Sequence, residues 1–425
     1  MPPRRTPRLQ VWIDDEHVAD LVEPRSRQIR LEYTKEALGR YALGDIVLSA
    51  SLPVRPQPYS AGETWPFLEG LLPEGEARTR IEERFDVPRG DTYRLLEAIG
   101  RDCAGAVAIL PAGQQPVADL AAAESVDDAG LAEAIADLAE HPLGIEADVR
   151  LSLAGMQEKL LLTRLPTGGW ARPRGGTPST HILKPEPARF PGMVALEAFG
   201  LRLAEAIGLP AAHTEVLRIE GGRPVLAVAR YDRRVTADGD VRRIHQEDLC
   251  QALGILPTRK YESDGGPSFR QIADIVLRIA TRPRAELARL VQIMALTVAL
   301  GNTDAHGRNL ALLYDRPAVQ LAPLYDVVPT LALQPRAGEP ALSTRLAMSV
   351  NGVPDIREVT GKDLLREAAR WVPEATAFHA LTRTFEAMVE AAAGVAAQLA
   401  EHGAPLPPEA ADLIQKRTRD LFGSL

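Results

Sequence analysis

The pattern of apolar positions divides the chain into a strand-rich first part and a helix-rich last part. Short apolar runs and period-two alternation predict strands, while apolar residues at every third or fourth position predict helices. The predicted strands are 8–13, 29–34, 105–110, 150–154, 159–165, 180–184, 213–219 and 225–231. The predicted helices are 67–72, 129–140, 193–207, 284–300, 363–371, 376–402 and 408–421. The pattern therefore predicts an α+β fold that ends in a mostly α-helical part.

Turn-forming segments indicate where these parts meet. The Pro- and Gly-containing stretch 111–116 and the Ala-, Asp- and Glu-rich helix after it favour a boundary near residue 145. We expect an α+β part at 1–145, a sheet with one packed helix at 146–245, and a helical part at 246–425.

Composition narrows the class of protein. The 425 residues are 45% hydrophobic and carry a formal charge of −8, so no overall basic field favours direct binding of nucleic acid. Cys103 and Cys250 are the only cysteines, which excludes a disulfide framework and a cysteine-based zinc site. No apolar run is long enough for a membrane span or a secretory signal. We expect a cytoplasmic protein without a membrane partner.

Asp304, Asn309 and Asp326 form the most informative group of polar residues. Protein kinases place a catalytic Asp five residues before a metal-binding Asn and a second metal-binding Asp downstream, to hold the acceptor hydroxyl and Mg²⁺ against one triphosphate. The apolar runs 310–314 and 319–322 flank a turn at 316–317, which predicts a β-hairpin between the two metal-binding positions. The spacing indicates a phosphoryl-transfer centre.

Lys184 ends a predicted strand, where its ammonium could contact nucleotide phosphates. Glu197 follows 13 residues later on the predicted helix 193–207, the place of the carboxylate that orients a kinase lysine. Glu205 on the same helix is a competing partner. The pattern predicts an ion pair between Lys184 and this helix.

Three further segments are candidates for binding nucleotide or substrate. Gly155 lies at the tip of a loop between apolar runs, where backbone N–H groups could bind phosphate oxygens, and an ordinary hairpin tip is the alternative. Residues 229–232 end a strand, either as a hinge that binds adenine or as a solvated strand end. The polar turn 260–267 could border a substrate cleft. His306 has no histidine or cysteine partner at metal spacing, which favours a structural hydrogen bond over a metal or base role.

Together these segments resemble the HipA-type serine/threonine kinases, the toxins of bacterial HipA–HipB toxin–antitoxin modules. The resemblance rests on 152–159, 180–184, 230–234, 246–251, 260–267, 302–309 and 323–326, and in the first part on 71–74 and 99–105. It covers nearly the whole chain, from about residue 8 to 400. The fold that it implies is the two-lobed protein-kinase-like fold.

The resemblance also implies ligands and roles for individual residues. Asp304 would be the catalytic base, and Asn309 and Asp326 would hold Mg²⁺. Glu197 would orient Lys184, and Ser152 would be an autophosphorylation site that silences the kinase. The implied ATP-binding residues are Ala154, Gly155, Met156, Gln157, Glu158, Lys159, Lys184, Ala229, Arg230, Tyr231 and His306.

The same family implies partners and leaves alternatives open. A small helix-turn-helix antitoxin of the HipB type would link the kinase to operator DNA, and the protein substrate would be an aminoacyl-tRNA synthetase. One alternative is a non-catalytic module that docks an antitoxin as a co-repressor, against which Asp304, Asn309, Asp326 and Lys184 argue. A second alternative is a kinase for a small molecule, which would use the same residues.

Overall fold

The structure is a computed structural model, and it describes residues 8–25, 28–120, 122–139, 158–219, 222–236, 238–333 and 342–425. The chain divides into two compact units. The first contains Met1–Leu183 and Asp232–Thr258, and the second contains Lys184–Tyr231 and Arg259–Leu425. None of the helices in the described ranges has the length and apolar character needed to cross a membrane.

Strands and helices alternate through both units. The strands are β1 (Arg8–Ile13), β2 (Glu16–Val22), β3 (Arg30–Tyr33), β4 (Val107–Pro111), β5 (Glu124–Val126), β6 (Leu160–Arg164), β7 (Trp170–Arg172), β8 (His181–Pro185), β9 (Thr214–Leu217), β10 (Val225–Ala229), β11 (Arg233–Val235), β12 (Val241–Arg243), β13 (His245–Asp248), β14 (Ala311–Asp315), β15 (Ala318–Leu321), β16 (Arg345–Val350) and β17 (Val353–Asp355). The helices are α1 (Lys35–Arg40), α2 (Ala61–Gly70), α3 (Gly75–Arg84), α4 (Thr92–Ile99), α5 (Asp128–Ala136), α6 (Met193–Ala206), α7 (Leu249–Leu253), α8 (Phe269–Ile279), α9 (Pro283–Leu300), α10 (Gly361–Ala368), α11 (Glu374–Glu401) and α12 (Ala410–Gly423). This mixture confirms the predicted α+β class.

The first unit is built on an antiparallel sheet with the strand order β3-β2-β1-β4. Successive side chains of a strand point to opposite faces, and the alternate residues Leu9 and Val11 of β1 are buried. They belong to one apolar cluster with Phe67 of α2 and Leu96 of α4. The alternation read from the sequence therefore corresponds to a real core face.

A buried ion pair attaches the segment 232–258 to the rest of the first unit. The Arg233 guanidinium donates to Asp102 Oδ1 at 2.8 Å, and both side chains are almost fully buried. The Ser179 hydroxyl donates to Asp102 Oδ2 at 2.7 Å. Because a buried charge is tolerated only when it is paired and hydrogen-bonded, these contacts hold three distant chain segments together.

The second unit is mostly helical around α9. This helix begins with Pro283 in its first turn and ends before Gly301, which has a φ of 74°. Leu290, Met294 and Val298, spaced four residues apart, are buried, and α11 packs against α6, α9 and α12. The apolar pattern of 284–300 thus predicted the central helix within one residue at its start.

Some predicted elements differ from the structure. The helix predicted at 67–72 is wrong in position, because α2 begins at Ala61, where Ser60 and Glu63 form a capping box. Helix α8 and the hairpin β16–β17 were not predicted. The predicted strand 150–154 lies outside the described residues. The three-part division of the chain stays a prediction.

Candidate active site

A buried ion pair joins Lys184 at the end of β8 to Glu197 in the first half of α6. Lys184 Nζ lies 2.6 Å from Glu197 Oε1, and the two residues are only 5% and 2% exposed. Glu205, the competing candidate, is exposed to solvent on the same helix. Residues in one helix that are eight apart lie more than two turns from each other, so only one of the two carboxylates can meet the strand end.

Asp326 is the second carboxylate that contacts the Lys184 ammonium. Its backbone has a φ of 53°, in the left-handed region, which Asp tolerates better than most residues. Gly200 in α6 allows the chain next to Asp326 to come close to this helix, because a Cβ at Gly200 would overlap the Val327 carbonyl oxygen. The close approach of this backbone to α6 sets Asp326 beside the same helix that carries Glu197.

Lys184 keeps its charge in this setting. Burial acts to lower the pKa of Lys184, but Asp326 and Glu197 together outweigh it and raise the pKa above the ordinary lysine value. The Lys184 ammonium is therefore a positive charge at neutral pH, and it is held one residue before the end of β8.

The loop that follows α9 carries Asp304 on its exposed side. The buried Asn302 side chain accepts a hydrogen bond from the Asp304 backbone N–H at 3.0 Å, which is an Asx turn. Thr303 is anchored in turn, because its N–H donates to Thr330 Oγ1 at 2.8 Å. The loop is therefore held by one hydrogen bond within it and by one to Thr330, while the Asp304 carboxylate is exposed to solvent.

A hydrogen bond joins the chain segments that carry Asn309 and Asp326. The predicted hairpin is confirmed as β14 and β15, with Leu312 opposite Leu321. The Tyr325 hydroxyl donates to the Arg308 carbonyl at 2.7 Å, so the residues directly before Asp326 and Asn309 are hydrogen-bonded to each other.

Within the described residues, no group of three or more His, Cys, Asp or Glu side chains is arranged as a metal site. Mg²⁺ commonly takes one or two protein oxygens and completes its octahedron with water and phosphate. The Asn309 amide and the Asp326 carboxylate fit such a small donor set.

His306 is buried inside the same loop. Burial lowers the pKa of His306 to about 4, although Asp304 opposes this effect, so the imidazole is neutral at pH 7. Its ring meets the Tyr261 ring edge to face, with centroids 5.3 Å apart. Its Nδ1 is buried without a hydrogen-bond partner in the described part of the chain. The structural hydrogen bond expected from the sequence is therefore not seen at this atom.

The candidate hinge lies where β10 ends. The Ala229 N–H donates to the His213 carbonyl at 2.9 Å, so this donor is already used within the second unit. Arg230 is buried, and the Tyr231 ring lies 5.7 Å from the Tyr325 ring. A planar base at this hinge would have to use the remaining backbone groups of 229–231 and could stack on these rings.

The candidate phosphate loop is described only at its end. Glu158 is half-buried and Lys159 is buried. The other predicted members of the loop, together with the predicted modification site, lie outside the described residues: Ser152, Ala154, Gly155, Met156 and Gln157.

One side chain at this site was not predicted as a site residue. The Tyr261 hydroxyl donates to Asp304 Oδ1 at 2.7 Å. The sequence marked the polar turn 260–267 as a possible border of a cleft, but nothing in its spacing indicated a bond to a residue 43 positions later.

The HipA-like C-terminal domain matches residues 151–400. The HipA N-terminal domain matches residues 9–110. The chain belongs to the HipA-like family. The resemblance inferred from its sequence motifs is confirmed.

Individual relatives of the HipA-like chain carry kinase names. A putative kinase, Y4mE, of Sinorhizobium fredii is 41% identical over 347 residues, which cover 80% of each chain. The serine/threonine-protein kinase toxin HipA of Shewanella oneidensis is 32% identical over 276 residues, 62% of each chain. The homology supports a kinase.

A solved structure has the same fold over almost the whole length. The chain matches one in the Shewanella oneidensis MR-1 complex of HipA, HipB and operator DNA with a TM-score of 0.80 and 25% identity. The match covers 98% of this chain and 96% of that one. The HipA-like chain therefore has the HipA fold in both of its matched domains.

The ion pair leads to a prediction about stability. We expect Lys184→Met to lower the free energy of unfolding by about 3–5 kcal/mol, because it removes the cationic partner of the buried Glu197 carboxylate. Lys362→Met is the matched control, since Lys362 is exposed on α10. Urea unfolding of both variants measures the difference. Adding Glu197→Leu to Lys184→Met should recover part of the loss, and equal effects of the two lysine variants would contradict the buried pair.

Proposed function

We propose that this HipA-like protein is an ATP-dependent protein serine/threonine kinase that acts as the toxin of a HipA–HipB-like module. The observation that carries the proposal is the Lys184 ammonium held by Glu197 and Asp326. A charge fixed in this way is already desolvated and oriented, so the lysine itself needs little reorganisation to bind polyphosphate. Kinases use a lysine, a helix glutamate and a metal-binding aspartate in this combination.

Asp304 is proposed as the catalytic base. Its carboxylate is exposed, and the loop that carries it is fixed by Asn302 and Thr303. A serine or threonine hydroxyl that reaches this carboxylate could give up its proton as its oxygen attacks phosphorus. The exposed position fits an acceptor that belongs to another protein.

Asn309 and Asp326 are proposed to hold Mg²⁺ through their side-chain oxygens. When bound, Mg²⁺ neutralises the charge that develops on the transferred phosphoryl group. This assignment is supported by the hydrogen bond from Tyr325 to the Arg308 carbonyl, which joins the segments that carry the two proposed ligands. Asp326 would then exchange part of its contact with Lys184 for the metal, which leaves the ammonium for phosphate oxygens.

The proposed nucleotide-binding residues are those of the loop 154–159, Lys184 and the hinge 229–231. Lys184 and backbone N–H groups of the loop would bind phosphates, and the hinge would bind adenine. The neutral, buried His306 would contribute to the wall of this site through packing rather than charge.

The proposed partners come from the family. A HipB-like helix-turn-helix antitoxin would bind the kinase and connect it with operator DNA, as HipB and operator DNA accompany HipA in the Shewanella complex. The proposed substrate is an aminoacyl-tRNA synthetase, whose phosphorylation would stop translation.

Two experiments test the proposal. Purified protein with Mg²⁺, γ-labelled ATP and host extract should label proteins on serine or threonine, and Lys184→Met should not. Expression should arrest growth, and co-expression of a neighbouring helix-turn-helix gene should relieve the arrest. Label transfer without growth arrest would support the kinase activity and contradict the toxin role.

Ser152 leads to a prediction about regulation. We expect Mg²⁺–ATP to produce phosphoserine at Ser152, which adds nearly two negative charges beside the triphosphate and lowers affinity for ATP by repulsion. Ser152→Ala should block the modification, and Ser152→Asp should imitate it only weakly because it carries less charge. Mass spectrometry after incubation with Mg²⁺–ATP measures the site. Phosphate found solely at other residues would rule out this switch.

A further inference from the structure

The hydrogen bond between Tyr261 and Asp304 sets the orientation of an exposed carboxylate. The donor is the phenol and the acceptor is Asp304 Oδ1, at 2.7 Å. Within the described part of the chain Asp304 Oδ2 accepts no hydrogen bond. A free surface carboxylate rotates among rotamers, and a single strong donor on one oxygen removes that freedom. The second oxygen is thereby presented to an incoming group.

Both neighbours of Tyr261 are fixed in place. The Lys260 carbonyl accepts a hydrogen bond from the Gly307 N–H at 3.3 Å, which ties the turn to the loop that carries Asp304. On the other side, Glu262 Oε2 accepts from the Ser349 N–H of β16 at 2.5 Å. Tyr261 is therefore held at both ends of its own short segment.

Strand β16 closes the arrangement. The Ala347 N–H donates to the Thr303 carbonyl at 2.9 Å, and Thr303 directly precedes Asp304. The turn at 260–262, strand β16 and the Asp304 loop are therefore connected in pairs by hydrogen bonds. Three segments that are far apart in sequence form one closed circuit around the contact between Tyr261 and Asp304.

The turn after Tyr261 is also internally rigid. The Tyr261 carbonyl accepts hydrogen bonds from the N–H groups of Asp264, at 3.0 Å, and Gly266, at 2.9 Å. A Cβ at Gly266 would overlap the Arg259 carbonyl oxygen, and Gly265 has a φ of 83°. These two positions require glycine, so the turn admits little variation in the direction of the phenol.

The Tyr261 hydroxyl remains a donor at neutral pH. Burial raises the pKa of Tyr261 above the ordinary tyrosine value, and the Asp304 charge raises it further. The ring is supported from the side by the edge-to-face contact with His306. The phenol is therefore a protonated group of fixed direction.

We infer that Tyr261 is a positioning residue for phosphoryl transfer, which holds the Asp304 carboxylate with Oδ2 toward the acceptor hydroxyl. The inference rests on the proposed role of Asp304 as the base. A positioned base accelerates transfer because the reacting atoms start close to their aligned geometry, and small misplacements are costly. Tyr261 acts through Asp304 and takes no proton itself.

The opposite role would be that of a blocking group. A phenol on Asp304 occupies one oxygen that a substrate hydroxyl could use, and it would have to leave before reaction. The closed circuit of hydrogen bonds and the two required glycines argue against such movement. The two roles predict opposite signs for the removal of the hydroxyl.

Tyr261→Phe removes the hydroxyl and retains the ring against His306. We expect kcat to fall by about 10- to 100-fold while the KM for ATP stays unchanged, because the lost interaction orients the base and does not bind nucleotide. The probe is γ-labelled Mg²⁺–ATP with a degenerate library of serine-containing peptides. Isothermal titration with a non-hydrolysable ATP analogue should give the wild-type affinity.

Tyr41→Phe is the matched control. The Tyr41 hydroxyl donates to Glu16 Oε2 at 2.6 Å, so this variant loses the same type of bond in the first unit. It should leave kcat unchanged. If the wild type is active and Tyr261→Phe has an unchanged or increased kcat, the positioning role is overturned. The proposed kinase function would not be affected by that result. A wild type that binds ATP but transfers no label would instead contradict the proposed function together with this inference.

Discussion

Asn309→Ala is expected to abolish phosphoryl transfer to peptide while the protein stays folded. The change removes one of two proposed oxygen ligands of Mg²⁺, and the remaining Asp326 already shares its carboxylate with Lys184. Loss of the metal would leave the developing phosphoryl charge without its main counter-charge. Initial rates with γ-labelled ATP across a range of Mg²⁺ concentrations measure the effect.

Asp326→Ala should also abolish phosphoryl transfer, but the backbone strain that alanine adds at this position needs its own control. Asp326 has a φ of 53°, so alanine there adds strain as well as removing a ligand. Asp86 has a φ of 51° and is exposed, so Asp86→Ala reports the strain alone. Asp326→Asn keeps a residue that tolerates positive φ and removes the charge. Undiminished transfer in Asp326→Asn and Asn309→Ala would refute the metal assignment.

Asp304→Asn should retain ATP binding and lose most of the turnover. An amide cannot take the proton of the acceptor hydroxyl, and general-base catalysis of this kind contributes about 10²- to 10⁴-fold. The substitution keeps the size of the side chain and an oxygen that can still accept from Tyr261. Single-turnover transfer and calorimetric ATP binding, measured on the same preparation, separate the two effects.

Asp274→Asn is the control for this variant, because Asp274 is exposed on α8 in the same unit. It should match the wild type in both measurements. In cells, the wild type and Asp274→Asn should arrest growth, and Asp304→Asn should not. Equal toxicity of all three would favour a binding mechanism over phosphorylation.

The sequence predicted best where local chemistry decides the structure. The apolar run before Gly301 and the two runs around 316–317 produced α9 and the β14–β15 hairpin as expected. Lys184 was placed at the end of its strand for the same reason. In these cases periodicity, turn residues and caps act within a few positions, and tertiary contacts agree with them.

Helix α8 was missed although its signals are local. Ser268 and Gln271 form a capping box, and Ile272, Ile275 and Val276 give the apolar face. The polar turn 260–267 lies directly before it, so the apolar face begins only after Ser268. Strand β16 carries a weaker signal, because its role depends on hydrogen bonds to segments far away in sequence.

Contacts between distant segments could not be predicted from spacing. Spacing favours Glu197 but leaves Glu205 as a competitor, and the burial of Glu197 beside Lys184 decides between them. The bond from Tyr261 to Asp304 depends on a turn whose direction is set by Gly265 and Gly266. Such contacts need the packed structure, because neither helical nor strand periodicity encodes them.

Identification of the phosphate acceptor tests the proposed protein kinase activity directly. Purified wild type, Mg²⁺ and ATP with a heavy-oxygen γ-phosphate are incubated with host proteins, and the labelled sites are found by mass spectrometry. We expect heavy phosphate on serine or threonine of a host protein with the wild type, and none with Asp304→Asn. Heavy phosphate found only in free phosphate or in small molecules, or on the same protein sites with Asp304→Asn, would contradict this expectation.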